Sequence, residues 1–181
     1  ALARPNTETH YLYFTPRYNA DSSARFGLAT SGWRNEVSAR SSTLPSKQWK
    51  LVTTVLDSTN ETLRLYIDGI LAGSSGTNGI TLEQIRAMSG PSGYIARSFY
   101  SADPYFGGMI ADFRIYDGAL TATEVSALKA EADEKIAAME GIFLQAASDK
   151  LTWESLAGSN ESPDRVITDL VLPTSGAYGT T

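Results

Sequence analysis

Cysteine is absent from this 181-residue chain and histidine occurs once, at His10. The first absence excludes disulfides, thiolate nucleophiles and zinc–thiolate sites together. It leaves the compartment open. Histidine occurs only once and no Gly-x-Ser-x-Gly elbow appears, so nothing points to a Ser–His hydrolase, and His10 reads as a surface residue rather than a base. Basic residues are outnumbered, 15 Lys and Arg against 20 Asp and Glu, for a formal net charge of −5. No Lys/Arg cluster stands ready to release counterions from phosphates, so neither nucleic acid nor an anionic membrane surface is an expected partner. No apolar run reaches the length of a membrane span. The opening Ala-Leu-Ala-Arg-Pro contains no apolar signal-peptide core. The glycine-rich stretch Gly73–Gly79 lacks the lysine and following helix of a phosphate loop, and reads as a flexible loop.

What is present is ordinary for a globular chain: 42% apolar and 19% charged residues, enough for one domain with an appendage. From Tyr11 to Tyr116 short strands alternate with turn chemistry. Tyr11–Phe14, Arg25–Ala29 and Trp49–Leu56 are the first three. Thr62–Ile67 and Ile70–Ala72 flank Asp68-Gly69, a pair that supplies the positive φ angles of a two-residue type I′ hairpin. With the turn at Asp57–Asn60 this predicts a three-stranded meander. Tyr94–Arg97 and Gly108–Tyr116 are the remaining strands. In the latter, Phe113 and Ile115 share one face, and Ile110, Asp112, Arg114 and Tyr116 the other. Many short strands at this spacing predict a β-sandwich.

At Leu120 the period changes. Thr121-x-x-Glu124 is a capping box, after which Val125, Leu128, Ala132, Ile136, Met139 and Phe143 recur at helical spacing. One helix to about Ala147, or two broken near Gly141, follows. Leu151–Leu156 is a short ordered segment, Gly158–Pro163 a loop, and Val166–Pro173 a strand ending at proline.

Trp49-Lys-Leu-Val-Thr-Thr54 with Leu63-Arg-Leu-Tyr-Ile-Asp-Gly69 resembles the hairpin of laminin-G-like, concanavalin A-like domains. Tyr94-Ile-Ala-Arg-Ser98, Asp103–Tyr116 and Ala119-Leu-Thr-x-x-Glu-Val125 are similar to later motifs of that family, in the same order and spacing. The resemblance implies a mainly β fold, an antiparallel jelly-roll β-sandwich of the concanavalin A-like lectin/glucanase type with a C-terminal helix. It assigns residues 1–128 to the jelly roll, incomplete at its start because the family's first strands are missing. Residues 129–150 become a helical linker. Residues 151–181 resemble the entry into a bacterial Ig-like domain, as in multidomain secreted glycoside hydrolases acting on arabinose-containing glycans. A sheet lacking its first strands exposes unpaired edges, which favour self-association.

Most motif residues build core and turns. Trp49 and Phe113 would each contribute roughly 1.5–3 kcal/mol by burial. Glycosidases need two carboxyls about 5–5.5 Å or about 6.5–9.5 Å apart. The Glu-x-Asp-x-x-Glu strand of the sandwich glucanases is absent, and Asp57, Asp68 and Asp117 read as turn residues. No catalytic residue is therefore assigned. The family's calcium chemistry points to Asp103, Asp112 and Asp117 as hard oxygen ligands for Ca²⁺. Against that, Ala111 replaces the first acid of the family's acid pair, and Asp112 has an alternative partner in Arg114. Sugar C–H faces stack on exposed rings. This makes Trp33, flanked by Arg34, Asn35 and Glu36, the first candidate ligand platform. Tyr100 and Tyr105, beside Phe99, are the second. The sequons at Asn60 and Asn160 are too short a pattern to carry a function.

Three functions follow from these readings. The first is a non-catalytic accessory module of an extracellular or cell-surface carbohydrate-active protein, binding a polysaccharide or oligosaccharide. The second is a structural spacer that packs against neighbouring domains of its parent, favoured by an exposed apolar stripe over Val125–Phe143. The third is a protein-binding adhesion module. Fold alone does not choose among them.

Overall fold

In the computed structural model the described residues are 2–3, 9–86 and 92–171. Two antiparallel sheets face each other. The first contains β1 (Leu2–Ala3), β2 (Tyr11–Thr15), β3 (Ala24–Ala29), β4 (Val37–Ser41) and β8 (Ser92–Gly93), in the order β4-β3-β2-β1-β8. The second is the meander β5 (Val52–Asp57), β6 (Thr62–Ile67) and β7 (Ile70–Gly76). A short helix α1 (Leu82–Arg86) follows β7, and a long helix α2 (Ala122–Ser148) and a single turn α3 (Trp153–Leu156) come later.

Side-chain alternation decides which face of each strand is dry. Phe26, Leu28 and Ala24 of β3, Val37 and Ala39 of β4, and Leu63 and Leu65 of β6 meet in one core. Leu12 and Phe14 of β2, Val52 and Leu56 of β5, and Ile80 and Ile85 around α1 complete it. The outer face of the meander carries a second cluster. There Val55 and Tyr66 are covered by Leu120 and by Val125 from the first turn of α2.

Turn chemistry agrees with the residues that make it. Asp68 and Gly69 both have positive φ, 52° and 79°, and Asp68 also accepts from Lys50 Nζ at 2.7 Å and from the Leu51 amide at 3.1 Å. Asp57 accepts from the Asn60 amide (3.0 Å) and from its Nδ2 (2.8 Å), closing the β5–β6 turn, and also bonds Arg64. The capping box of α2 is formed: Thr121 N donates to Glu124 Oε2 at 2.7 Å, and Glu124 N to Thr121 Oγ1 at 3.3 Å. The helix runs unbroken through Gly141 to Ser148.

Several expectations are corrected. Gly73–Gly76 is strand, not loop, because β7 continues its antiparallel ladder with β6, Gly73 opposite Leu65, Ser75 opposite Leu63 and Gly76 opposite Thr62. The missing side chain at Gly73 also lets β7 approach β4 of the other sheet closely: a Cβ there would stand 2.0 Å from the carbonyl oxygen of Arg40. Tyr94–Arg97 is not a strand. Ala96 adopts φ 65°, which ends any extended run, and its carbonyl accepts from the Phe106 amide at 2.9 Å. Gly108–Tyr116 is irregular rather than β, and Phe113 is 60% exposed instead of buried. Alternation permits a strand, but a neighbour must complete its hydrogen bonds. Residues 166–171 form no strand either, since Asn160 Oδ1 takes the amides of Ile167 and Thr168, both at 2.8 Å. The final part of that expected strand lies outside the described residues. β4 and α1 were not foreseen, although Thr81-x-x-Gln84 is a capping box whose two reciprocal bonds, 2.9 and 3.1 Å, are made.

Contacts divide the chain into two compact units, residues 1–130 and 131–181. Within the second, Asn160 is buried and holds the turn together. Its Nδ2 donates to the carbonyls of Ala157 (2.9 Å) and Thr168 (3.0 Å), opposite the two amides that its Oδ1 accepts. The side chain of the Asn160 sequon is thereby consumed by the fold. Among the described residues, no helix is long and apolar enough to cross a membrane.

Lowered carboxyl pKa values make the fold acid-sensitive in a defined direction. Hydrogen bonds from Ser23, then Arg25, hold Asp21 at about 2 against an ordinary 3.8. Asn60 holds Asp57 below 3.8, and Thr121 holds Glu124 below 4.5. Folded values below unfolded ones mean that this stability is complete above the unfolded values. It is lost as pH falls through the folded ones. Chemical denaturation midpoints are expected to hold steady down to about pH 5 and to decline from there towards about pH 2. A flat profile across that window is the contrary result.

Candidate functional site

Tyr11 and Tyr13 lie two residues apart on β2, so both rings stand on the face opposite Leu12 and Phe14. Their partners across the ladder, Ala29 and Gly27, are small. Tyr13 lies flat over Gly27, where a Cβ would come within 2.7 Å of the ring. The two rings meet edge to face, with centroids 5.8 Å apart. Between their hydroxyls sits the carboxylate of Glu36, the residue before β4. Tyr11 Oη donates to Oε2 at 2.7 Å and Tyr13 Oη to Oε1 at 2.9 Å. Burial and the Glu36 charge raise both phenols well above their ordinary 10.0. They therefore stay neutral donors across the physiological range, and each phenolic oxygen keeps lone pairs to accept a further hydroxyl.

Aromatic residues border this cluster. Phe99 packs against Tyr11 and Ala29, and its ring lies 4.8 Å from that of Tyr94. Arg97 stacks over Tyr94, with its guanidinium carbon 4.5 Å from the ring centroid. On the Tyr13 side, Arg25 is buried, spreads over Tyr18 at 3.5 Å and pairs with Asp21. A polar and aromatic row thus runs across the sheet face.

The expected ligand residues divide by role. Trp33 is 80% exposed in the β3–β4 connection, and Arg34 lies 5.8 Å from its ring centroid. Asn35 is spent on the loop itself. Its Oδ1 accepts from the amides of Thr30 (3.2 Å) and Ser31 (2.8 Å), and its Nδ2 donates to Thr30 Oγ1 at 2.9 Å. Glu36 organises the two phenols. Tyr100 is close enough to Tyr11 to raise its pKa, whereas Tyr105 is exposed at the margin, its ring 5.7 Å from the Arg97 guanidinium. The structure therefore brings Glu36 and Tyr100 to one place. Phe99, expected beside Tyr100, joins them. Tyr11, Tyr13, Tyr94 and Arg97 were not foreseen there, although Tyr11-x-Tyr13 on a predicted strand was the available signal.

Asp103, Asp112 and Asp117 are not brought together. Asp112 pairs with Arg114 at 3.0 Å, and Asp103 belongs to a turn whose amide donates to the Tyr100 carbonyl. Among the described residues, no group of three or more acidic or histidine side chains is arranged to hold a metal ion.

Two facing antiparallel sheets define a β-sandwich. Residues 2–126 match the laminin-G-type model of the concanavalin A-like lectin/glucanases superfamily, and the chain belongs to that family. An alpha-L-arabinofuranosidase of Bifidobacterium longum subsp. longum is 28% identical over 110 residues, 60% of this chain and 10% of that protein. The match thus spans only a tenth of that relative. A crystal structure of an S-layer domain-containing protein from Clostridium thermocellum aligns at 32% identity, over 70% of this chain and 59% of that one, with a TM-score of 0.38.

Proposed function

We propose that the chain is a non-catalytic carbohydrate-binding module of an extracellular or cell-surface protein, and that it helps its parent engage a polysaccharide. The observation that carries this reading is the Tyr11–Glu36–Tyr13 cluster on the sheet face, with Trp33 exposed on the loop that leads into Glu36. The phenolic oxygen of the half-buried Tyr13, held by Glu36, offers a fixed acceptor to a sugar hydroxyl, and an exposed indole offers a stacking surface for a pyranose or furanose ring. Both oxygens of Glu36 are engaged by phenols, which suits an orienting carboxylate better than one half of a hydrolytic pair. The resemblance to part of an arabinofuranosidase makes arabinose-containing glycans the first ligands to try.

Affinity electrophoresis through arabinan or arabinoxylan gels is expected to retard the chain. Trp33→Ala should weaken binding about tenfold, equivalent to about 1.4 kcal/mol, with unchanged thermal stability. Equal mobility of wild type and variant in every glycan gel would count against the reading. The spacer alternative has one observation in its favour: Ile142 and Leu144 of α2 are strongly exposed. Unchanged glycan binding by the parent protein after this segment is deleted, together with lower stability, would select the spacer.

A further inference from the structure

The chain contains a single Asn-Gly pair, Asn78-Gly79, in the turn between β7 and α1. Both residues have positive φ, 50° and 75°, and the Ile80 amide donates to the Thr77 carbonyl at 3.0 Å, as in a type I′ turn. The turn is divided between core and solvent. Thr77 and Ile80 are buried, 2% and 6% exposed, while Asn78 and Gly79 are exposed. Asn35, Asn60 and Asn160 spend their side-chain amides on hydrogen bonds, and each is followed by glutamate. Among the described residues, nothing bonds the Asn78 side chain or the Gly79 amide. A Cβ placed on Gly79 would meet nothing within 4 Å.

We propose that Asn78 is a site of spontaneous covalent modification, with the chain's own backbone as nucleophile and water as co-reactant. The Gly79 nitrogen, on losing its proton to base, attacks Asn78 Cγ. An N–Cγ bond forms, the Cγ–Nδ2 bond breaks, and Nδ2 takes a proton from solvent and leaves as ammonia. The product is a cyclic imide, which water opens at either carbonyl. Opening at Cγ restores the ordinary backbone with an aspartate side chain. Opening at the main-chain carbonyl leaves isoaspartate, whose backbone runs through the former side chain. Nothing is oxidised or reduced in either branch. Glycine favours the closure because no Cβ crowds the attacking nitrogen, and an unbonded carboxamide can turn towards it. The buried ends of the turn set the consequence. Isoaspartate inserts a methylene into the main chain between Thr77 and Ile80, which widens the turn and breaks its closing bond. Thr77 is anchored by its amide to the Glu61 carbonyl at 2.9 Å, and Ile80 by the core it shares with Leu63 and Leu65. The extra length therefore has to be absorbed in the core.

The held asparagines serve as controls within the same molecule. The full chain is kept in warm, mildly alkaline buffer, then digested at low pH, where imide closure is slow, and read by mass spectrometry. The peptide carrying Asn78 is expected to gain the mass of NH2 exchanged for OH, in two chromatographic forms, aspartate and isoaspartate. Peptides carrying Asn35, Asn60 and Asn160 should stay unchanged. Asn78→Gln would have to close a larger ring and should show no gain. Ion exchange of the intact chain isolates the more acidic products for unfolding. The isoaspartate form should have a lower urea midpoint than the starting protein. Asn78→Asp carries the same charge on an ordinary backbone and should keep the starting midpoint. An unchanged Asn78 peptide, or an equal gain at the held asparagines, would overturn the proposed site. An isoaspartate form with the starting midpoint would overturn the consequence drawn from the buried turn ends.

Discussion

Gly73→Ala is expected to destabilise the domain by about 1–3 kcal/mol, the usual cost of overpacking a tight interior. The change adds a single methyl group, on a residue that would ordinarily pass as a loop glycine. The added carbon would sit 2.0 Å from the carbonyl oxygen of Arg40, 2.8 Å from its carbonyl carbon and 2.9 Å from its nitrogen. All three are backbone atoms of β4, so no side chain can swing away, and β7 and β4 must separate. The core lies between the same two sheets, so their separation spreads to Leu28, Leu63 and Leu65. Gly141→Ala supplies the control. It sits inside α2 with nothing within 4 Å of an added Cβ, and should stabilise by about 0.5–1 kcal/mol through helix propensity. Urea midpoints at constant slope would read both effects. Equal midpoints for Gly73→Ala and wild type would show that the two strands do not approach so closely.

Glu36→Ala is expected to cost about 1.5–3 kcal/mol in stability, the range for hydrogen bonds to a charged group, and to abolish glycan retention. Tyr11 is buried, so its hydroxyl would lose its acceptor with little water to replace it. Tyr13 is half-buried and recovers part of its loss from solvent. A second readout isolates the carboxylate. Because burial and then Glu36 raise the two phenols, removing the charge should bring their ultraviolet titration down towards, but not fully to, the ordinary 10.0. Glu36→Gln keeps one carbonyl acceptor without the charge and should fall between the two in stability. Wild-type phenol titration and wild-type glycan retention in Glu36→Ala would together remove the cluster from the binding site.

Legibility differed between elements for identifiable reasons. The β5–β6–β7 meander could be read directly, because alternation and Asp68-Gly69 are local properties and the type I′ turn needs only its two central residues. The start of α2 was equally plain, since a capping box is closed by residues three apart. β4 was hidden: Val37-Ser-Ala-Arg-Ser41 contains a single large apolar residue, and alanine fills the dry face only because β7 comes so near. The site was half legible. Trp33 and Glu36 could be picked out from their loop, but Glu36 acts through Tyr11 and Tyr13, which lie 25 and 23 positions away. Asn35 looked like a ligand residue and is a loop brace instead.

By itself the sequence determined the antiparallel β class, the hairpin and helix boundaries set by local turn and cap chemistry, and the absence of thiol chemistry. Tertiary structure decided the rest. It made a strand of the glycine-rich Gly73–Gly76, because β6 meets the backbone of that segment in register. It also gathered two phenols around one carboxylate by placing β2, β3 and β4 side by side. And it left Gly108–Tyr116 outside both sheets despite its alternating pattern. Alternation dictates only where side chains point, whereas a strand exists when a second backbone meets its amides and carbonyls.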